Sequence, residues 1–120
     1  MSGTLNKAGI DVFVRRDDVL ACLYGRIDID SSPAVRDRLL GLMQSPYPKS
    51  INIDLSGISQ IDSSGVATLI EALKIARTHR TEMRLQGLED QLLRLFAITG
   101  ILALFDGEYR NVSKPEDKVV

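Results

Sequence analysis

The sequence predicts a single α/β domain built on a mixed β-sheet, and three observations point to this fold class. Segments with strand and helix periodicity follow one another in the order ββαβαβα, with a further short strand predicted after them. The two opening strands predict an antiparallel hairpin, whereas the later strand–helix alternation predicts parallel strands joined by right-handed crossovers. The 120 residues are enough for one hydrophobic core and too few for two. We therefore expect one sheet with helices mainly covering one face.

Composition excludes several classes of function. Fifteen basic and 16 acidic residues give a net charge of -1, which provides no general attraction to nucleic acid or anionic lipid. The single cysteine, Cys22, and the single histidine, His79, exclude an internal disulfide and a Cys/His metal centre. Apolar stretches are short, and the N-terminus lacks the pattern of a signal peptide. We expect a cytoplasmic protein without cofactor, metal, nucleic-acid partner or direct membrane insertion.

The first half of the chain predicts a hairpin and then a helix. Residues 10–14 and 19–25 are rich in strand-forming side chains and flank a charged turn at 15–18. The segment Ser31-Ser32-Pro33 supplies a hydroxyl N-cap, with Pro33 at the first position of a helix that runs to about residue 44. Prolines 46 and 48 end this helix, because they remove backbone donors and constrain the residues before them. Its apolar stripe is expected to face the core and comprises Val35, Leu39, Leu42 and Met43.

The second half continues the alternation. Residues 51–55 alternate between apolar and polar, which predicts a strand with one buried face, and residues 56–62 are predicted as a loop. The next helix has an apolar face (Val66, Leu69, Ile70, Leu73, Ala76) and an opposite polar face (Thr68, Glu71, Lys74, Thr78). A strand around Met83 and Leu85 follows, then a helix from about residue 89 that carries Leu92, Leu95, Phe96 and Thr99 and ends at Gly100. We expect a last strand at 102–105, a domain spanning 8–108, and flexible termini at 1–7 and 109–120.

The segment around Ser63 is the strongest candidate for a functional site. Asp62, Ser63 and Ser64 are predicted at the carboxyl end of a parallel strand, where the following helix begins. Free amides and the positive end of the helix dipole would stabilise a phosphate on either serine there. The simpler interpretation is that Asp62 or Ser63 caps the helix. These residues alone do not decide between the two.

The wider sequence resembles a known family. Residues 54–58 (Asp-Leu-Ser-Gly-Ile) and 61–66 (Ile-Asp-Ser-Ser-Gly-Val), followed by a helix, resemble the signature of STAS domains, and of bacterial anti-sigma factor antagonists in particular. Gly-Arg-Ile-Asp at 25–28 stands where the family has a Gly-Glu-Leu-Asp turn. Residues 95–101 resemble the ending of the family's last helix. The resemblance spans about residues 10–105.

This resemblance implies a switch based on phosphorylation of Ser63. The unphosphorylated protein would bind an anti-sigma factor, often itself a serine kinase, and so release a sigma factor. Phosphorylation would release the antagonist from its partner, and a serine phosphatase would reset it. Asp28, Asp62, Ser64 and Gly65 would join Ser63 in partner binding. Arg26 replaces the family's usual glutamate, and such a change of charge at an interface can alter partner choice.

Two other functions are compatible with parts of the sequence. The related STAS subunits of Mla-type lipid-transporting ABC complexes have a similar core, and residues 85–88 (Leu-Gln-Gly-Leu) resemble one of their segments; the partner would then be an ATPase subunit. That branch commonly has threonine where this chain has Ser63. A small serine hydrolase would need Ser63, Asp62 and His79 to converge, but the Gly-x-Ser-x-Gly elbow is missing. Cys22 is expected to be an ordinary small core residue.

Overall fold

A five-stranded sheet with three helices forms the fold, as seen in a computed structural model that describes residues 8–44, 46–100 and 109–110. The elements in chain order are β1 (Gly9–Arg15), β2 (Asp18–Ile27), α1 (Ser32–Gly41), β3 (Ser50–Ile61), α2 (Ser63–Thr78), β4 (Glu82–Gln86), α3 (Asp90–Ile98) and β5 (Tyr109–Arg110).

The strands lie in the spatial order β1-β2-β3-β4-β5, which is also their order in the chain. β1 and β2 pair antiparallel, with Arg15 opposite Asp18 across a two-residue turn. Arg16 in that turn has a φ of 58°, the left-handed conformation that tight hairpins require. All later pairs are parallel. The predicted fold class, a mixed sheet with an opening hairpin, is therefore confirmed.

The two faces of the sheet differ in burial. On the helix-covered face, alternate residues of the three central strands are fully buried: Ala21, Leu23, Ile51, Ile53, Leu55, Met83 and Leu85. On the other face, the intervening residues are only half-buried: Leu20, Cys22, Asn52, Asp54, Arg84 and Gln86. Cys22 was predicted in the core, and that prediction is wrong. Burial and the nearby carboxylates of Asp54 and Asp11 raise the pKa of its thiol.

α1 is shorter than predicted. It ends at Gly41 because the amides of Leu42 and Met43 bond to carbonyls only three residues back, which tightens and closes the last turn. The predicted core stripe is confirmed, since Val35, Leu39 and Met43 are all buried. Across the surface, the guanidinium of Arg36 donates two 2.7 Å hydrogen bonds to the carboxylate of Glu71 and joins α1 to α2.

β3 is much longer than the predicted 51–55, because residues 56–61 continue the strand instead of forming a loop. Its pairing with β2 is irregular here, with register shifts between Cys22 and Tyr24 and between Gly25 and Arg26. Gly57 permits the close approach: a Cβ at this position would lie 2.9 Å from the carbonyl oxygen of Leu23. The extension brings the end of β3 up to the start of α2.

The C-terminal part of the fold also differs from expectation. Gly100 has a φ of 81° after α3, which confirms the predicted left-handed cap. The strand predicted at 102–105 lies outside the described residues. Tyr109 and Arg110, expected in the tail, form β5 beside Leu85 and Gln86 of β4. Across the part of the chain that the structure describes, no helix combines the length and apolarity needed to span a bilayer.

Candidate functional site

Two turns meet at the carboxyl edge of the parallel strands. One joins β2 to α1 and begins at Asp28; the other joins β3 to α2 and consists of Asp62 alone. The amide of Asp62 donates a 3.1 Å hydrogen bond to the carbonyl oxygen of Ile27, which holds the two turns side by side. The structure thus brings Asp28 and the segment beginning at Asp62 together, as parallel topology requires.

Asp62 is the N-cap of α2. Its backbone is extended, and its carboxylate accepts hydrogen bonds from the amides of Ser64 (2.8 Å) and Gly65 (3.3 Å). Its carbonyl oxygen accepts the first bond of the helix, from Val66 at 3.0 Å. The capping interpretation of Asp62 is confirmed, and this cap fixes the position of the next residue, Ser63.

Ser63 and Ser64 occupy different environments although they are adjacent. Ser63 is exposed at the first position of α2, and the described part of the chain offers its hydroxyl no hydrogen-bond partner. Ser64 is half-buried, and its carbonyl oxygen accepts a 3.0 Å bond from the hydroxyl of Thr68. Thr68 was predicted on the exposed polar face, but it is 6% exposed, and this bond satisfies its hydroxyl. Of these two serines, Ser63 is the more exposed to another protein.

Gly65 lets α2 approach the sheet closely. The residue is buried, and a Cβ added there would lie 2.6 Å from Cγ1 of Ile61 and 2.8 Å from Cγ2 of Ile27. A side chain at this position would therefore push the helix start away from β2 and β3. Gly65 supports the site by setting the depth of Ser63.

The β2–α1 turn is a closed hydrogen-bond network. The carboxylate of Asp28 accepts bonds from the amides of Asp30 (3.0 Å) and Ser31 (3.1 Å) and from the Ser31 hydroxyl (3.3 Å). The single hydrogen of the Ser31 hydroxyl is shared between this carboxylate and the carbonyl oxygen of Arg26, and the hydroxyl oxygen accepts from the Asp28 amide. The predicted hydroxyl cap is wrong: the N-cap residue of α1 is Ser31, but its side chain makes no capping bond, because these bonds direct the hydroxyl backward into the turn.

This network changes the acidity of Asp28. The amide of Ser31 contributes most to holding the pKa of the Asp28 carboxyl below its usual value, because it bonds to the charged form. The Asp30 amide, the Ser31 hydroxyl and the nearby positive charge of Arg26 act in the same direction. Asp28 therefore presents a stable negative charge beside the start of α2.

A small polar cleft lies between the two turns. It has a volume of about 250 Å³, and its lining includes Arg26, Asp28, Gln60 and Asp62. Arg26 lies opposite Gln60 in the β2–β3 register and is exposed. Arg26, at the position where the sequence resemblance leads one to expect glutamate, thus lies on the same surface as Asp28 and Asp62.

An apolar groove, which we call the α2–α3 groove, borders Ser63 on its other side. It has a volume of about 360 Å³ and is lined by Ile61, Asp62, Ser63, Val66, Ala67, Ile70, Leu95, Phe96 and Thr99. Phe96 is fully buried beneath it, whereas Leu95 is 46% exposed at its edge and Ile98 on the same helix is 77% exposed. The sequence analysis missed this groove. The sequence signal for this groove was the composition of α3, which has more apolar residues than one core-facing side of the helix can bury.

The structure separates the residues of the alternative hydrolase site. His79 is the C-cap of α2, at the opposite end from Ser63. Sixteen helical residues at 1.5 Å each place these ends about 24 Å apart, so no triad of Ser63, Asp62 and His79 forms. The ring of His79 stacks on Tyr47, with centroids 4.1 Å apart. Among the residues that the structure defines, no group of three or more His, Cys, Asp or Glu side chains is arranged to hold a metal ion.

Comparison with known proteins agrees with the fold. The family model described as "Mlab, STAS domain" matches residues 13–105. The anti-sigma-B factor antagonist of Listeria monocytogenes is 35% identical over 103 residues, covering 86% of this chain and 80% of that protein.

Two solved structures share the architecture. An anti-sigma factor antagonist from Mycobacterium paratuberculosis superposes with a TM-score of 0.74 at 18% identity, covering 95% of this chain and 92% of that one. The phosphorylated form of SpoIIAA from Bacillus superposes with a TM-score of 0.69 at 17% identity, covering 93% of this chain and all of the other. With its fold shared by these structures and most of its sequence matched by the family model, the chain belongs to the STAS domain family.

Proposed function

We propose that this protein is an anti-sigma factor antagonist whose binding to an anti-sigma factor is switched off by phosphorylation of Ser63. The observation that carries the proposal is the exposed Ser63 hydroxyl, which begins α2 and has no hydrogen-bond partner among the described residues. The Listeria relative bears the name of an anti-sigma-B factor antagonist, and SpoIIAA has been solved in a phosphorylated form. Both support the same role, which would be exercised in the cytoplasm.

A phosphate on Ser63 is compatible with the fold. It would stand at the positive end of α2, where the helix dipole favours a negative charge. The neighbouring Asp62 carboxylate opposes this attraction, but it stays bonded to the amides of Ser64 and Gly65. The modification therefore acts on the surface of the protein, with α2 left in place.

The α2–α3 groove explains how a surface charge would prevent binding. In the unmodified protein, an apolar side chain of the anti-sigma factor can enter beside Val66 and Leu95. A phosphate at Ser63, with a charge of about -1.5 to -2, would have to lose its hydration as the partner covers the groove. Asp28 and Asp62 add negative charge nearby, so the partner surface must be complementary to them.

The remaining site residues have supporting roles. Asp62 positions Ser63 by capping α2, Ser64 continues the helix start, and Gly65 sets its depth against Ile27 and Ile61. Asp28 provides a fixed charge on the partner-facing surface. The serine kinase is the anti-sigma factor itself, and a serine phosphatase restores the hydroxyl.

Capture from the native host tests this proposal. The wild-type protein and its Ser63→Asp and Ser63→Ala variants are immobilised, and the bound proteins and the state of Ser63 are identified by mass spectrometry. We expect an anti-sigma factor of the serine-kinase class on wild type and on Ser63→Ala, with binding weakened roughly tenfold or more by Ser63→Asp. Gln44→Asp, the same change of charge at an exposed residue beyond the far end of α1, controls for a general effect of charge. Equal binding of Ser63→Asp and wild type would contradict the switch.

A second candidate partner is the ATPase subunit of a Mla-type lipid transporter. The family model that matches residues 13–105 carries the Mla name. In the segment 85–88, which resembles that branch, Gly87 has a φ of 77°, and a Cβ added there would lie 2.6 Å from Oδ1 of Asp54. The same capture experiment distinguishes the two functions. An ABC-type ATPase retained by wild type and by Ser63→Asp alike, with Ser63 unmodified, would favour the transporter role.

A further inference from the structure

The outer edge of β1 has no pairing partner among the residues that the structure describes. β1 is the first strand in the sheet order, and within the described ranges no strand pairs with its outer side. Edge strands offer a row of unpaired amides and carbonyls to another chain. Two large apolar side chains also stand exposed on this strand, Phe13 at 58% and Val14 at 68%.

The backbone groups that face outward can be identified. Nη2 of Arg38 donates a 3.4 Å hydrogen bond to the carbonyl oxygen of Ile10, which therefore points away from β2. Backbone groups in an antiparallel strand alternate between its two sides. Val12 and Val14 consequently also direct their amides and carbonyls outward, whereas Phe13 directs its own toward Leu20 of β2.

We propose that a second copy of this chain pairs antiparallel with β1 around a two-fold axis through Phe13. In this register, Val12 of one copy faces Val14 of the other, and both supply outward amides and carbonyls. Asp11 of one copy faces Arg15 of the other, and the symmetry repeats this charge pair on both sides of the axis. The two Phe13 rings meet at the centre, as an aromatic cross-strand pair.

The neighbouring symmetric register is less favourable. An axis through Val12 would place Asp11 opposite Phe13 and so lose both charge pairs. It would also require the carbonyl oxygen of Ile10 to bond to Val14 of the second copy, although Arg38 already bonds to that oxygen. The axis through Phe13 is therefore favoured over the axis through Val12. It keeps both charge pairs, brings the two Phe13 rings together and leaves the bond between Arg38 and Ile10 intact.

The resulting contact is short, so the dimer is expected to be weak and dependent on concentration. It joins the two sheets into one sheet of ten strands, with each β1 at the middle. The pairing does not involve Ser63, which lies at the start of α2 beyond β3. It is consequently independent of the function proposed for that residue.

Sedimentation velocity from low micromolar to near-millimolar concentration tests the pairing in the full-length chain. We expect wild type to shift from monomer to dimer, and Asp11→Arg or Arg15→Asp alone to raise the dissociation constant roughly tenfold by creating two like-charge pairs. The double variant Asp11→Arg, Arg15→Asp should recover wild-type affinity. Glu89→Arg before α3, which follows β4 at the other side of the sheet order, makes the same charge change and should leave the dimer unchanged.

A backbone variant provides a test that does not depend on charge. Val14→Pro removes an outward amide while sparing the bonds between β1 and β2, so circular dichroism should stay like wild type and the dimer should be lost. A wild-type protein that stays monomeric at the highest concentration would overturn the proposal. A dimer unaffected by Val14→Pro, or single charge variants that weaken it without recovery in the double variant, would do so equally.

Discussion

Two helices of this domain begin at the same edge of the sheet, after an aspartate and serines, and they use these residues in opposite ways. At the start of α1, the Ser31 hydroxyl is tied to Asp28 and to the carbonyl oxygen of Arg26. At the start of α2, the Asp62 carboxylate bonds to backbone amides, and the Ser63 hydroxyl is left exposed. The hydroxyl is bonded within the turn at the start of α1 and is exposed at the start of α2.

The difference arises from spacing. Asp28 precedes Ser31 by three residues, so the turn folds back and brings carboxylate and hydroxyl together. Asp62 directly precedes Ser63, and an N-cap carboxylate reaches the amides of the second and third helical residues but not the side chain of the first. The same two residue types thus give a structural turn in one place and a candidate modification site in the other.

The largest expected effect concerns the packing beneath α2. Gly65→Ala should lower the free energy of unfolding by about 1–3 kcal/mol, because its Cβ would overlap Ile61 and Ile27. Gly41→Ala at the end of α1, where nothing lies within 4 Å of the added carbon, is the matched control. Urea denaturation measures both. If the two variants were equally stable, the close fit of α2 to the sheet would be wrong.

Removal of the α2 cap should have the next largest effect. Asp62→Ala loses the bonds to two amides and should cost about 0.5–2 kcal/mol of stability. Asp62→Asn keeps an oxygen that can cap the helix, so it should retain most of that stability. Thermal unfolding of the Asp62→Ala and Asp62→Asn variants measures this difference in stability. An asparagine variant as unstable as the alanine variant would contradict the capping role.

Alanine at the two serines separates the two helix starts most clearly. Ser31→Ala should cost about 0.5–1.5 kcal/mol, because it removes a hydroxyl with several bonds. Ser63→Ala should change stability by less than about 0.5 kcal/mol, because its hydroxyl is exposed and unbonded in the described structure. Urea denaturation measures both variants. If they lost the same free energy of unfolding, the proposed difference between the two helix starts would be wrong.

The smallest expected effect is a dependence on pH at the closed start. Because the folded state lowers the pKa of Asp28, its carboxylate contributes stability above the usual aspartate pKa. That contribution is lost as the pH falls through the lower, folded-state pKa. Asp28→Asn should flatten this part of the stability curve at acid pH. An NMR titration that places the Asp28 carboxyl at or above the ordinary aspartate value would refute the network.

Local signals in the sequence were sufficient to predict most helices and strands and the aspartate cap of the candidate site. The charged turn at 15–18, the alternation at 51–55 and the aspartate before α2 are each signals within a few residues. The structure has the hairpin, with a turn shortened to two residues, the strand and the cap. The length of β3 was not predictable in this way. Ser56 and Gly57 interrupt the alternation, and the strand continues there because it pairs with its neighbour β2.

Burial was harder to predict wherever several apolar residues are adjacent. Residues 19–23 are apolar without interruption, so alternation could not show that Cys22 points away from the helices. In α3, the periodicity could not show that Phe96 is buried while Leu95 borders an open groove. The family resemblance selected Ser63 over Ser64, whereas the difference in exposure between the two serines was visible only in the folded chain.

The most direct test of the central claim is to map the phosphate. The purified protein is incubated with ATP and the serine-kinase anti-sigma factor of its host, and each serine is examined by mass spectrometry. We predict a single phosphate on Ser63, none on Ser31 or Ser64, and no phosphorylation of the Ser63→Ala variant. Phosphate on Ser31 or Ser64, or undiminished phosphorylation of Ser63→Ala, would contradict the view that the open helix start is the switch.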